Sequence, residues 1–201
     1  VKVGHEHFTF EQTWLRRLVE ANAEVRVVDC SVGIDDLHED PHLWVSPRAA
    51  RQFAPAIAAA LAEVLPEAAA DIDAARVRLL ATIDALDADL RRILAPAAGT
   101  RFYVFHPAWG YLARDYGLTQ VSIEHGAKEP SAAELADLMR RARADGAGVV
   151  FVQPEFSARS AGVVADEIGA KLVMLDPLAL DWPKAVRQAA EGLKIRLSDH
   201  E

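Results

Sequence analysis

A chain of 201 residues is long enough to bury a sizeable core, in one large domain or two small ones. A formal net charge of −8 argues against a nucleic-acid partner, because no basic patch is available to neutralise phosphates. The single cysteine, Cys30, excludes an intrachain disulfide and a multi-cysteine zinc site, and no apolar run is long enough for membrane insertion.

In chain order, residues 9–21 place Phe10, Trp14, Leu15 and Leu18 on one face of a predicted helix. EVRVVD at 24–29 alternates as a short strand, and a polar, acidic loop follows at 30–44. Pro47 fits the first position of a helix that runs to about Leu65 and is stopped by Pro66. The longest predicted helix spans about Glu67 to Ala95. Its apolar stripe is Ile72, Leu79, Ile83, Leu86, Leu90 and Ile93. At 1.5 Å per residue it is roughly 40 Å long. A coiled coil and an intramolecular strut both fit that stripe.

From Arg101 onward the rhythm becomes strand, helix, strand, helix. Strands are predicted at 101–105, 118–123, 148–152 and 171–175, with helices near 107–116, 131–144, 157–168 and 181–195. SAAE at 131–134 reads as a capping box. The alternation predicts an α/β fold with a mainly parallel sheet.

In such a sheet, ligands sit beyond the carboxyl ends of the strands. The residues there are His106 in FHP, Glu124 and His125 in IEHG, Gln153 in VQP and Asp176 in LDP. His, Glu and Asp gathered at one sheet edge suit a divalent metal. Strand ends are also polar simply because they lead into loops, and His-Pro and Asp-Pro are ordinary turn starters. The loop DLHEDPHLW adds His38, Asp40 and His42, and His5 and His7 alternate in GHEH.

Taken together, DPHLWVSP at 40–47, FHPAWGYLARDYGL at 105–118, KEPSAAEL at 128–135, VVFVQPEFSARSA at 149–161 and VMLDPL at 173–178 resemble, in order, one family. It is the zinc and manganese substrate-binding proteins of bacterial metal ABC transporters. The likeness covers nearly the whole chain. It implies two α/β lobes joined by one long helix, with a metal ion buried between them. On that pattern residues 1–46 would be the tail of the amino-terminal lobe. Residues 47–96 would hold the helices, including the strut, and 97–201 would form the carboxy-terminal lobe.

The resemblance also implies a ligand set. Its second, third and fourth ligands fall on His42, His106 and Asp176. Its first histidine lies upstream of anything matched here, with His5 or His7 as conceivable substitutes. Without that ligand and its lobe, metal binding would be weak and exposed to solvent. Two imidazoles and a carboxylate favour Zn(II), with Mn(II) as the second choice because it prefers more oxygen donors. Glu124 fits either a partner that orients a histidine through its ring N–H or a rim carboxylate, the rim being slightly favoured, and Trp44 and Trp109 are expected to pack, not to ligate.

The implied function is extracytoplasmic capture of a divalent metal and delivery to an ABC permease. The expected molecule is a periplasmic or cell-surface monomer, without catalysis. Acid would weaken binding, since ligating histidines must be neutral. Three alternatives stand beside it: a zinc hydrolase with Glu124 as general base, a metal-free α/β receptor domain, and an adhesin.

Overall fold

The structure is a computed structural model that describes residues 10–37, 40–124, 131–156 and 158–198. It divides into two compact units, residues 1–87 and 88–201, and the division falls within the long helix.

The described part of the first unit is helical. A five-residue π-helical turn, Glu11–Leu15, leads into α1, Arg16–Ala21. The predicted apolar face of this segment is largely exposed, at 49% for Phe10, 53% for Trp14 and 51% for Leu18. The strand expected at 24–29 is not a strand: Asp29 alone makes an isolated bridge. Alternation creates a strand only when a neighbour pairs its backbone along its length, and no such ladder forms among the described residues.

Helix α2, Pro47–Val64, begins as predicted. Ser46 caps it by accepting from Ala49 N–H at 3.0 Å, and Pro47 supplies a pre-set φ at N1. Helix α3, Ala69–Leu94, follows a short 3-10 turn at Pro66–Ala68. Arg51 meets Asp84 at 3.0 Å and ties α2 to α3. The predicted stripe of α3 is buried at Ile83, Leu86 and Leu90, whereas Leu79 is 46% exposed; at its end Leu94 is buried and Ile93 only half-buried.

The second unit is built on four parallel strands in the order β2-β1-β3-β4. They are β1 (Arg101–Val104), β2 (Thr119–Ser122), β3 (Val149–Val152) and β4 (Lys171–Met174). The intervening helices are α4 (Gly110–Asp115), α5 (Ala132–Ala144) and α6 (Ala158–Ile168), with α7 (Trp182–Ser198) after β4. All eight elements fall where the alternating pattern predicted them, within three residues at each end.

Two local details explain why these elements form. The capping box is present: Ser131 Oγ accepts from Glu134 N–H at 3.4 Å, and Glu134 Oε2 accepts from Ser131 N–H at 2.8 Å. Strand β3 is buried at every position, as expected of a central parallel strand covered on both faces. Tyr103, Phe105, Val150 and Val152 join Leu138, Ala142, Ala161 and Val164 of α5 and α6 in one core. On the other face Gly192 of α7 lies so close to Phe151 that a Cβ there would stand 2.8 Å from the ring.

Candidate metal centre

The strand order fixes where a site can form. From β1 the chain moves outward to β2, then returns past β1 to β3 and β4, so the switch in direction lies between β1 and β3. The crevice at such a switch, beyond the carboxyl ends, is where this architecture binds ligands. His106 leaves β1 at that point.

The backbone pairing continues beyond the strands and places the neighbours of His106. Ile123 N–H donates to Val104 O and Glu124 N–H to Phe105 O, both at 2.9 Å. Glu124, two residues beyond Ser122, is thereby carried beside His106, two residues beyond Val104, in the register that pairs Val104 with Ser122. Its Oε2 lies 3.2 Å from His106 Nδ1. Glu124 is only 5% exposed. Of the two places expected for Glu124, the slightly favoured rim is corrected and the other holds: this is a buried group facing the imidazole. The ring of Phe156 stacks on the other side of His106, with centroids 5.1 Å apart and planes at 21°.

His42 is held in a parallel way by a different device. Asp40 Oδ1 accepts from the backbone N–H of His42 at 2.9 Å and lies 2.6 Å from its Nδ1. Leu43 and Val45, both fully buried, anchor the 3-10 turn Leu43–Val45 that follows. Trp44 meets the imidazole edge-on at 5.2 Å. In the sequence Asp40 reads only as an acidic neighbour of the loop histidines. The signal that could have found its role was the D-x-H spacing, which suits a side chain closing onto the backbone two residues on.

An ionised carboxylate only accepts hydrogen bonds, so a neutral imidazole that faces one through Nδ1 donates from Nδ1–H. A carboxylate behind the imidazole is how metal-ligating histidines are commonly oriented.

Asp176 follows β4 at the same carboxyl edge. Its Oδ1 accepts from Leu178 N–H at 2.8 Å, an Asx turn that holds the loop. Between His106 and Asp176 stands Gln153 at the end of β3. It is 5% exposed, and its Oε1 is buried without a hydrogen-bond partner. Trp109 is 2% exposed and donates its backbone N–H to Gln120 Oε1 at 2.7 Å, a packing role.

Each unit thus holds one histidine–carboxylate pair, His42 with Asp40 in the first and His106 with Glu124 in the second, and among the described residues no group of three or more His, Cys, Asp or Glu side chains is disposed to hold a metal. His5, His7, His38 and His125 lie outside the described residues. No described helix is long and apolar enough to cross a membrane.

Residues 4–194 match the family model for the periplasmic zinc-uptake complex component A, ZnuA. The chain belongs to this ZnuA family. A solved ZnuA structure superposes with a TM-score of 0.86 at 40% identity, covering 94% of this chain and 75% of that one. The high-affinity zinc uptake protein ZnuA of Bacillus subtilis is 34% identical over 141 residues, which is 69% of this chain and 44% of that protein. Its counterpart from Brucella suis is 30% identical over 171 residues, covering 79% and 50%. The zinc-binding protein AdcA of Streptococcus pyogenes is 33% identical over 69% of this chain but only 27% of its own length. The chain therefore spans a quarter to a half of the curated ZnuA relatives it matches. These relatives are named as zinc-binding and zinc-uptake proteins, and the solved ZnuA structure shares this α/β fold.

Proposed function

We propose that this chain captures a divalent metal ion outside the cytoplasm, Zn(II) first and Mn(II) second, for delivery to an ABC permease. His42, His106 and Asp176 are its proposed ligands. The observation that carries the proposal is the shared setting of the two histidines, each with a carboxylate at Nδ1, the arrangement that orients metal-ligating imidazoles. With Oδ1 of Asp176 engaged in its turn, ligation through Oδ2 breaks no protein hydrogen bond. Two imidazole nitrogens and one carboxylate oxygen make a donor set that suits zinc over manganese. Residues 1–46, 47–96 and 97–201 are proposed as lobe tail, helical segment and second lobe. The monomer and the extracytoplasmic location belong to the same reading.

The hydrolase alternative needs Glu124 as a free general base, and its engagement with His106 argues against that role. Capture and release without catalysis is the better reading.

The experiment is a calorimetric zinc titration of chelator-stripped protein beside His106→Ala and His42→Ala. Stoichiometric binding that either change abolishes supports the ligand set. Undiminished binding by both folded variants overturns it.

A further inference from the structure

Gln153 is a buried polar side chain without an assigned role. A polar atom shut away from water without a partner is uncommon in a folded protein and asks for an explanation. Its place in the fold offers one. Phe105 N–H donates to Phe151 O at 2.7 Å and extends the β1–β3 ladder by one rung. Leu175 N–H donates to Val152 O at 2.9 Å and does the same for β3–β4. Val104 is paired with Phe151, and Val152 with Met174. Gln153 therefore stands level with His106 on one side and with Leu175, next to Asp176, on the other. Adjacent strands lie about 4.8 Å apart, so β1 and β4 are roughly 10 Å apart with only the end of β3 between them. The main chain turns at the same residue: Gln153 O accepts from Phe156 N–H at 3.1 Å, and Phe156 is the ring stacked on His106.

We propose that Gln153 Oε1 accepts a hydrogen bond from a water molecule bound to the captured metal, making Gln153 a positioning residue for the ion's remaining coordination position. This rests on His106 and Asp176 as ligands. A metal polarises its bound water and strengthens it as a donor, and an acceptor already desolvated has no water to shed before receiving it. Among the described residues that acceptor has no partner; on capture it gains one. The amide is neutral, so the group adds no charge that would trap the ion.

The test uses Gln153→Leu, Gln153→Met and Gln153→Glu, with zinc affinity read by competition against a chromophoric chelator. The coordination number is read from the visible bands of the Co(II)-loaded protein. Leucine and methionine remove the acceptor; glutamate keeps it. The expected result is about a tenfold or greater loss of affinity for Gln153→Leu and Gln153→Met, the scale of outer-shell effects in metal sites. Their Co(II) bands should intensify as the water is lost, and Gln153→Glu should retain the wild-type spectrum. The metal-free Gln153→Leu protein should melt no lower than wild type, since an orphaned oxygen has been replaced by an apolar group. If leucine does not fold, the flexible methionine gives the same reading. Wild-type affinity and an unchanged Co(II) spectrum in the leucine or methionine variant would overturn the proposal and leave the oxygen as a packing feature. Failure of the ligand reading shows separately, as His106→Ala binding zinc like wild type.

Discussion

The two ends of the β2-β1-β3-β4 sheet are built from similar residue types and serve opposite ends. At the amino end, Tyr103 donates its hydroxyl to Asp145 Oδ2 at 2.8 Å, and Arg101 lies 3.4 Å from the same oxygen. On the face of the sheet that α7 covers, Phe151 and Gly192 close against each other. Charge meets countercharge there, and apolar surface meets apolar surface. At the carboxyl end a histidine faces a buried glutamate, an aspartate spends one oxygen on its own loop, and a glutamine oxygen has no partner. A structural cluster satisfies itself, whereas a binding cluster keeps capacity for a ligand. The two ends should therefore answer differently to substitution.

The largest expected contrast is at the carboxyl end. Glu124→Ala should lower zinc affinity by about 10–100-fold, because the imidazole of His106 loses the group that fixes its orientation and proton. Glu124→Gln keeps an acceptor in place and should recover part of that loss. Calorimetric titration of both variants checks this, and equal losses would mean that the negative charge matters more than the hydrogen bond. At the other face, Gly192→Ala should leave the affinity of the folded protein unchanged. It should destabilise the fold by about 1–3 kcal/mol, since the new Cβ would sit 2.8 Å from the Phe151 ring. Denaturant unfolding measures that cost, and a loss of affinity with full stability would break the contrast.

How much of this could be read from residues alone depended on how far each feature reaches along the chain. The parallel sheet followed from alternating segments, and the capping box at Ser131 from four consecutive residues, because both are local signals. The strand expected at 24–29 failed for the converse reason: a β-ladder needs a second segment, and its own alternation does not provide one. The same limit hid half of the site. Asp40 lies two residues from His42, within reach of sequence spacing. Glu124 reaches His106 from 18 residues away through the register of β1 on β2, and its burial is a property of the folded sheet. Gln153 was visible as a strand end, but only packing reveals that its oxygen lacks a partner.

The smallest expected effect concerns pH and the amino end. Burial and the Asp145 carboxylate push the Tyr103 hydroxyl from its ordinary 10 up to about 12. The folded state therefore holds this proton more tightly than the unfolded chain. Below pH 10 both states keep it and the slope is zero. Between about 10 and 12 the unfolded state binds fewer protons, so stability falls as pH rises. Tyr103→Phe should abolish that fall, at the cost of about 0.5–1.5 kcal/mol at neutral pH for the lost hydrogen bond. Unfolding of metal-free protein from pH 8 to 12 measures both; a Tyr103→Phe profile as steep as wild type would assign the alkaline loss to another group. Zinc capture should fail in the opposite direction, because histidines ligate only when neutral and acid removes that condition. Alkali thus tests the end of the sheet that holds the fold, and acid tests the end proposed to hold the metal.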